Sequence, residues 1–138
     1  MEEAKKRHDK FHLELEDLKE KLLRLAGLAE EALDRSLKAL QEKNQDLARR
    51  VILEDKLINE LEVEIDAACV RLIALYQPVA IDLRQVMTAD HLIVEFERIG
   101  DLAANIAEEA LTLAQFPQET LHRDINRMAR IAQGTRKS

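Results

Sequence analysis

Two lines of oxygen-bearing side chains are the part of this sequence able to do chemistry. Asp55, Asn59, Glu62 and Asp66 stand at i, i+4, i+7 and i+11, a spacing that stacks side chains along one face of a helix. Glu97, Asp101, Asn105 and Glu108 form a second line of the same kind. Pro78 falls between them, and taking the turn as centred near Val79, the residues pair by distance from it. Asn59 lies 20 before and Asp101 22 after; Glu62 lies 17 before and Glu97 18 after; Asp55 lies 24 before and Asn105 26 after. Antiparallel helices rising about 1.5 Å per residue would hold these pairs at nearly equal heights. Carboxylates facing each other at short range repel by roughly several kcal/mol unless a cation, a proton or a basic side chain lies between them. Arg98 and Lys56 are the internal candidates for that neutralisation. Neither line contains histidine, and an all-oxygen donor set favours a hard ion over structural zinc: iron, manganese, magnesium or calcium.

Acidic residues four apart more often make a solvated helix face than a site. Register across one turn sets these two lines apart, as do the small residues Gly100, Ala103, Ala104 and Ala107 beside the second, which let two backbones approach. Glu30 and Asp34 repeat the spacing on an earlier helix but fall away from its apolar seam, and read as solvated. His8 and His12 are four apart near a terminus where fraying works against a metal pair. His91 has only Glu95 within helical reach and reads as a surface residue. Glu119 and His122 supply half of a di-iron bundle signature, which needs two such pairs on separate helices. Cys69 lies beside an apolar seam and reads as a small buried hydrophobe. There is no glycine-rich phosphate loop and no Ser/His/Asp arrangement. The run Gln77-Pro78-x-Ala80-x-Asp82-Leu83-Arg84 is a turn and cap, from which Arg84 can reach a partner or an anion.

The elements that must position these groups are helices, because the hydrophobic period is 3.5 to 3.6 almost throughout. The first runs from about Glu3 to Lys43, with a seam of Phe11, Leu15, Leu18, Leu22, Leu25, Ala29, Ala32 and Ser36, bulky early and small late. Asn44-Gln45-Asp46 is the break, with Asn suited to a C-cap and Asp to an N-cap. The second runs from Leu47 to about Tyr76, presenting Val51, Ile58, Leu61, Ile65, Ala68, Leu72 and Leu75 inward. Pro78 ends it. The third starts at an Asp82 cap and runs to about Gln115, with a seam of Val86, Ala89, Ile93, Phe96, Gly100, Ala103, Ala107 and Ala110. Phe116-Pro117 stops it, and a last amphipathic segment carries Leu121, Ile125, Met128 and Ala132. Short connections make neighbours antiparallel. The fold class expected is all-α: an up-down-up antiparallel three-helix bundle, spectrin-like, over residues 1–115, with a short additional helix over 116–138. The stripe on that last segment calls for a partner: a fourth-helix position, another chain, or further sequence.

Composition agrees. The 138 residues include 3 glycines and 2 prolines, with 46% hydrophobic and 35% charged side chains, which excludes β and glycine-loop nucleotide-binding folds and argues for a folded, helix-rich chain. No run of about 18 apolar residues exists to span a membrane, and no apolar signal core follows the charged start, so a cytoplasmic protein is expected. The net charge of −6 is uneven: −1 over residues 1–45, −8 over 46–115 and +3 over 116–138. A segment at −8 repels phosphate backbones, so nucleic acid is not an expected partner.

Glu97-Arg98-Ile99-Gly100-Asp101, continued by Asn105-Ile106-Ala107-Glu108, resembles the signature of the PhoU family of phosphate-transport regulators. Glu54-Asp55-Lys56, Ile58-Asn59 and Glu62 extend the likeness, as do Gln77-Pro78 and Asp82-Leu83-Arg84 at the turn; it covers roughly residues 8–115. The resemblance implies a non-enzymatic adaptor, peripheral to the inner membrane through protein partners. Such an adaptor acts on the phosphate-specific ABC transporter ATPase and its partner sensor histidine kinase, and represses the phosphate-starvation response. It further implies a metal at Glu97 and Asp101, faced by Asp55 and Asn59, and Asn59 departs from the aspartate common there; with Glu62 these five are the metal residues expected, and Arg98, Asn105 and Arg84 are further site candidates. Family members carry two tandem bundles, and this chain stops just inside the place where a second would begin. A piece of a longer protein is the expectation, a natural single-bundle homologue the alternative, and a homodimer would restore the tandem arrangement. The competing functional reading is a scaffolding bundle with no metal site, its acidic lines simply solvated.

Overall fold

The structure, a computed structural model, describes residues 1–115 together with 127, 128, 130 and 131. Three helices form it: α1 (Glu2–Glu42), α2 (Gln45–Tyr76) and α3 (Ala80–Leu113). Each packs against both others. Ion pairs between α1 and α2 give their relative direction: Glu14 meets Arg71 at 3.2 Å, Lys21 meets Glu64 at 2.9 Å, and Arg35 meets Glu54 at 2.8 Å. As numbers rise on α1 they fall on α2, so the bundle is up-down-up.

The core follows the seams. Phe11, Leu15, Leu18 and Leu25 of α1, Ile58, Ile65 and Leu72 of α2, and Val86 and Ile93 of α3 are buried. Burying one such side chain contributes about 1.5–3 kcal/mol. Toward the α1–α2 turn the core narrows to Ala32, Ser36, Ala39, Ala48, Ala103, Ala107 and Ala110, all buried. The Ser36 hydroxyl donates to the Leu33 carbonyl at 2.7 Å, which satisfies it within its own helix. Large side chains at one end and small ones at the other let the helices approach more closely at the alanine end.

Some positions differ from the sequence reading. Cys69 is buried at 2% exposure, while Ala68 is half-buried and Leu75 is 46% exposed. The α2 seam advances by four at 61→65→69 and again at 72→76, so Cys69 and the half-buried Tyr76 take the inward places. Leu22 and Phe96 are half-buried rather than fully enclosed. Cys69 is the small buried hydrophobe expected, and burial pushes its thiol up to about 11, with Asp90 and Asp66 adding to the rise. Such a thiol is poorly suited to nucleophilic work.

The two turns also differ in detail. Asn44 caps α2 rather than ending α1: its side-chain oxygen accepts from the Leu47 N–H at 3.1 Å, an interaction typically contributing about 1 kcal/mol. Lys43 ends α1 in the left-handed conformation at φ 54°, and the Asn44 N–H closes onto the Ala39 carbonyl at 3.0 Å. Asp46 lies in the first turn of α2 instead of capping it. At the second turn Gln77 ends α2 as a left-handed C-cap at φ 46°, and Val79 is the extended N-cap of α3. Asp82 therefore sits inside the first turn of α3, favourable to the helix dipole but without a capping hydrogen bond.

Of the final segment, Met128 is described and exposed. Phe116, Pro117, Glu119, Leu121, His122, Ile125 and Ala132 lie outside the described residues, as does most of the short additional helix expected over 116–138. Among the described residues no helix is long and apolar enough to cross a membrane.

Candidate functional site

The α2–α3 groove assembles at its middle. Gly100 faces α2 so closely that a Cβ added to it would lie 3.5 Å from Ile58 Cγ2 and 3.6 Å from Asp55 Oδ1. Asp55 therefore stands level with Gly100 and Asp101, not with Asn105. The Glu62–Glu97 pairing expected from the turn holds, since Glu97 is the charge that acts most on Glu62, while Asp55 faces one turn lower on α3 than expected. The contact distances at Gly100 are ordinary van der Waals ones, so a small residue suffices there. Gly100 is buried because the seam passes through it.

Glu62 is the central group. It is 8% exposed, yet its Oε1 is buried without a protein hydrogen-bond partner. Burial first, then the charges of Glu97, Asp101 and Asp55, push its carboxyl up to about 7. Asp55 is half-buried and raised as well, by burial and then by Asp101, against which the Asn59 amide donates at 3.4 Å. Asn59 is thus a donor to Asp55 in this arrangement, which softens the charge crowding that an aspartate in its place would worsen. Glu97 and Asp101 are exposed at the mouth.

The basic residues proposed as neutralisers do not enter. Arg98 is turned to Glu95 at 3.5 Å and is exposed. Lys56 is exposed, and among the described residues no ion pair joins a basic side chain to Asp55, Glu62, Glu97 or Asp101. Asn105 and Arg84 are both exposed, Arg84 lying with Lys19, Leu22 and Ile81 on the α1–α3 side. Glu54, part of the same sequence run as Asp55, serves the fold: it bridges Arg35 of α1 and Arg50, the latter at 3.2 Å. Glu30 and Asp34 are exposed, as expected.

Chemically the groove is a concentration of negative charge with a protonated or cation-seeking carboxyl at its base. Its oxygen donors fit a hard cation, since a buried, unpartnered carboxylate flanked by like charges gains most from one. The donors are spread along the helices; among the described residues they do not bring three ligand oxygens within 4.8 Å of one another. One trio of ligand atoms, two imidazole nitrogens and a carboxylate oxygen, lies within that distance elsewhere: His8, His12 and Asp82, at the opposite end of α1 from Asn44. The i, i+4 histidine spacing signalled that pair in the sequence. Its third member was hidden by the reading of Asp82 as a cap.

The chain matches the family model described as the PhoU domain over residues 22–110. It is 44% identical over 122 residues to the phosphate-specific transport system accessory protein PhoU homolog of Aquifex aeolicus, covering 88% of this chain and 55% of that protein. It is 46% identical over 101 residues to the PhoU accessory protein of Escherichia coli K12, covering 73% of this chain and 42% of that one. Its fold is similar to the crystal structure of PhoU from Pseudomonas aeruginosa, with a TM-score of 0.74 and 38% identity, over 76% of this chain and 50% of the other. The chain thus spans about half the length of the relatives it matches.

Glu62 yields a prediction for protein held in chelator. Its carboxyl ordinarily titrates at 4.5 and in the folded protein at about 7. The folded state therefore binds the extra proton in between. Stability from this group is fully present below the lower value and is lost as pH rises through the upper one. Glu62→Gln removes that loss. Near pH 8 the variant melts higher than the parent by about 4 °C, and near pH 5 the two converge. A gap of the same size at both pH values would contradict the assignment.

Proposed function

The chain belongs to the PhoU family, and from that membership we propose that it is a regulatory adaptor of phosphate uptake and phosphate signalling. In this reading it acts on the phosphate-specific ABC transporter and its partner sensor histidine kinase from the cytoplasmic side, and represses the phosphate-starvation response. The observation that carries the proposal is the extent of the match: 88% of the chain aligns with a protein named as an accessory of the phosphate-specific transport system. Adaptor work asks for surfaces rather than a catalytic pocket. The exposed apolar side chains Leu23, Leu53, Val63, Val70 and Ile81 supply material for protein contacts.

The groove is the regulatory element of this reading. Glu97, Asp101, Asp55 and Glu62 would hold a hard metal ion, iron, manganese or magnesium, with Asn59 orienting Asp55. The ion would supply positive charge between α2 and α3, fixing their spacing. The unpartnered Glu62 oxygen and the absence of a basic partner among the described residues support a cation there rather than a solvated face. The scaffolding alternative has no use for an acid pushed up to about 7.

Protein purified without chelator is expected to carry stoichiometric iron, manganese or another hard ion, and Glu97→Gln/Asp101→Asn to carry none of it by elemental analysis. An empty parent after ions are added back removes the metal from the proposal. The adaptor role has a separate test in a bacterium lacking its own homologue. Expression of this chain should lower a phosphate-starvation reporter severalfold in phosphate-rich medium, and an unchanged reporter with the folded chain present defeats it. Because the chain spans half of its relatives, two copies are proposed to act together. Sedimentation equilibrium at high micromolar concentration should return twice the chain mass, and a monomer refutes that part.

A further inference from the structure

The histidine cluster at the turn end plays no part in that reading. His8 and His12 lie on adjacent turns of α1 with their Nε2 atoms 3.0 Å apart. Asp82, in the first turn of α3, places Oδ1 4.0 Å from His12 Nε2. The geometry points to a second cation site, His8–His12–Asp82, for a transition-metal dication that accepts imidazole nitrogen, zinc above all.

Two imidazole nitrogens at hydrogen-bonding distance must have one donor and one acceptor, and only one proton can lie between them. A metal replaces that proton and accepts from both nitrogens. Zinc bonds imidazole nitrogen at about 2.0–2.1 Å and carboxylate oxygen at about 2.0–2.2 Å, and tetrahedral angles then hold the donors about 3.3–3.5 Å apart. Two of the three separations bracket that value and all three donors lie within 4.8 Å of one another, so binding needs side-chain adjustments on the order of 1 Å rather than movement of helices. Two histidines and one carboxylate with an open fourth position are a donor set that zinc takes in preference to magnesium or calcium. The oxygen-only groove has the opposite preference.

The surroundings hold the donors still. The Phe11 ring, buried in the core, stands edge-on to His12 at 5.5 Å and to Tyr76 at 5.6 Å. Gln77, Pro78 and Val79 close the cleft beside His8 and Asp82. The nearby cation does not compete: Arg7 donates to the Leu75 carbonyl and lies over the Tyr76 ring at 6.0 Å. Among the described residues Asp82 has no ion-pair partner but His12. His8 is exposed, which leaves a path for an ion. An ion held here ties the start of α1 to the start of α3 across the Gln77–Val79 turn. It joins groups 70 positions apart in the sequence, and stabilises the folded state by mass action.

The test uses the full 138-residue chain stripped of metal, titrated with Zn²⁺ by calorimetry and with Co²⁺ as an optical probe. The parent and Glu97→Gln/Asp101→Asn should each bind one equivalent per chain, raise their melting temperature, and show the intense visible bands of low-coordinate cobalt. His12→Gln and His8→Gln should bind about tenfold more weakly or worse and lose those bands, with Asp82→Asn affected in the same direction. These side chains lie outside the core, and unchanged metal-free melting shows that the variants fold. Equal affinity in His12→Gln overturns the assignment. So does a parent that binds Zn²⁺ no better than about millimolar, and so does loss of binding in the groove variant.

Discussion

The short turn at Gln77–Pro78–Val79 governs the register of everything that carries charge in this bundle. Proline cannot continue α2, so the helix stops before it; Gln77 closes it as a left-handed C-cap and Val79 extends. With so few residues in the turn, α3 has little freedom to slide along α2. A displacement of its centre by one residue moves the facing partner by two. The turn sets Asp55 beside Gly100 and Asp101, and places Glu62 where it feels Glu97 most among its neighbours. The same turn lifts Asp82 to the height of His12.

What this register costs is a carboxyl group buried against its own kind. A buried acid with like charges nearby either keeps its proton or draws in a cation. Glu62 rises to about 7, which makes its charge state responsive to conditions close to neutrality. The core offsets the cost. Leu15, Leu18, Leu25 and Ile65 are almost completely enclosed, and a handful of such side chains outweighs one strained carboxylate. Conformational entropy consumes most of the remainder, so the balance at the groove is still felt in net stability.

Helix identities, their lengths to within a few residues, and most of the core were legible in the sequence, because amphipathic period and a single proline suffice to define them. Phe11 through Ser36 and Val86 through Ala110 line the core almost as the pattern implies. The failures lie where the seam drifts or where competing roles share a residue. Cys69 replaces Ala68 because a 3.6 period alternates steps of three and four, and only packing decides which comes where. Asn44 suits either end of a helix; the left-handed Lys43 took the C-terminal role and left Asn44 to cap α2. The two acidic lines and the Glu62–Glu97 pairing were visible, but the partner of Asp55 was placed one turn too far along α3. The link between His12 and Asp82 required knowing how α1 sits against α3, which no local pattern encodes.

The distribution of ion pairs makes one interface stiff and another responsive. Between α1 and α2, Glu14–Arg71, Lys21–Glu64 and Arg35–Glu54 compensate one another along much of the helix length. Each such half-exposed pair contributes little alone, but none leaves a charge uncompensated, and Lys21 is held more basic by Glu64 and Asp17. Between α2 and α3 the charges facing each other are of one sign, and Asn59 is the nearest neutral donor. Protonation of Glu62 therefore relieves repulsion at the α2–α3 contact, whereas the α1–α2 contact is already charge-compensated.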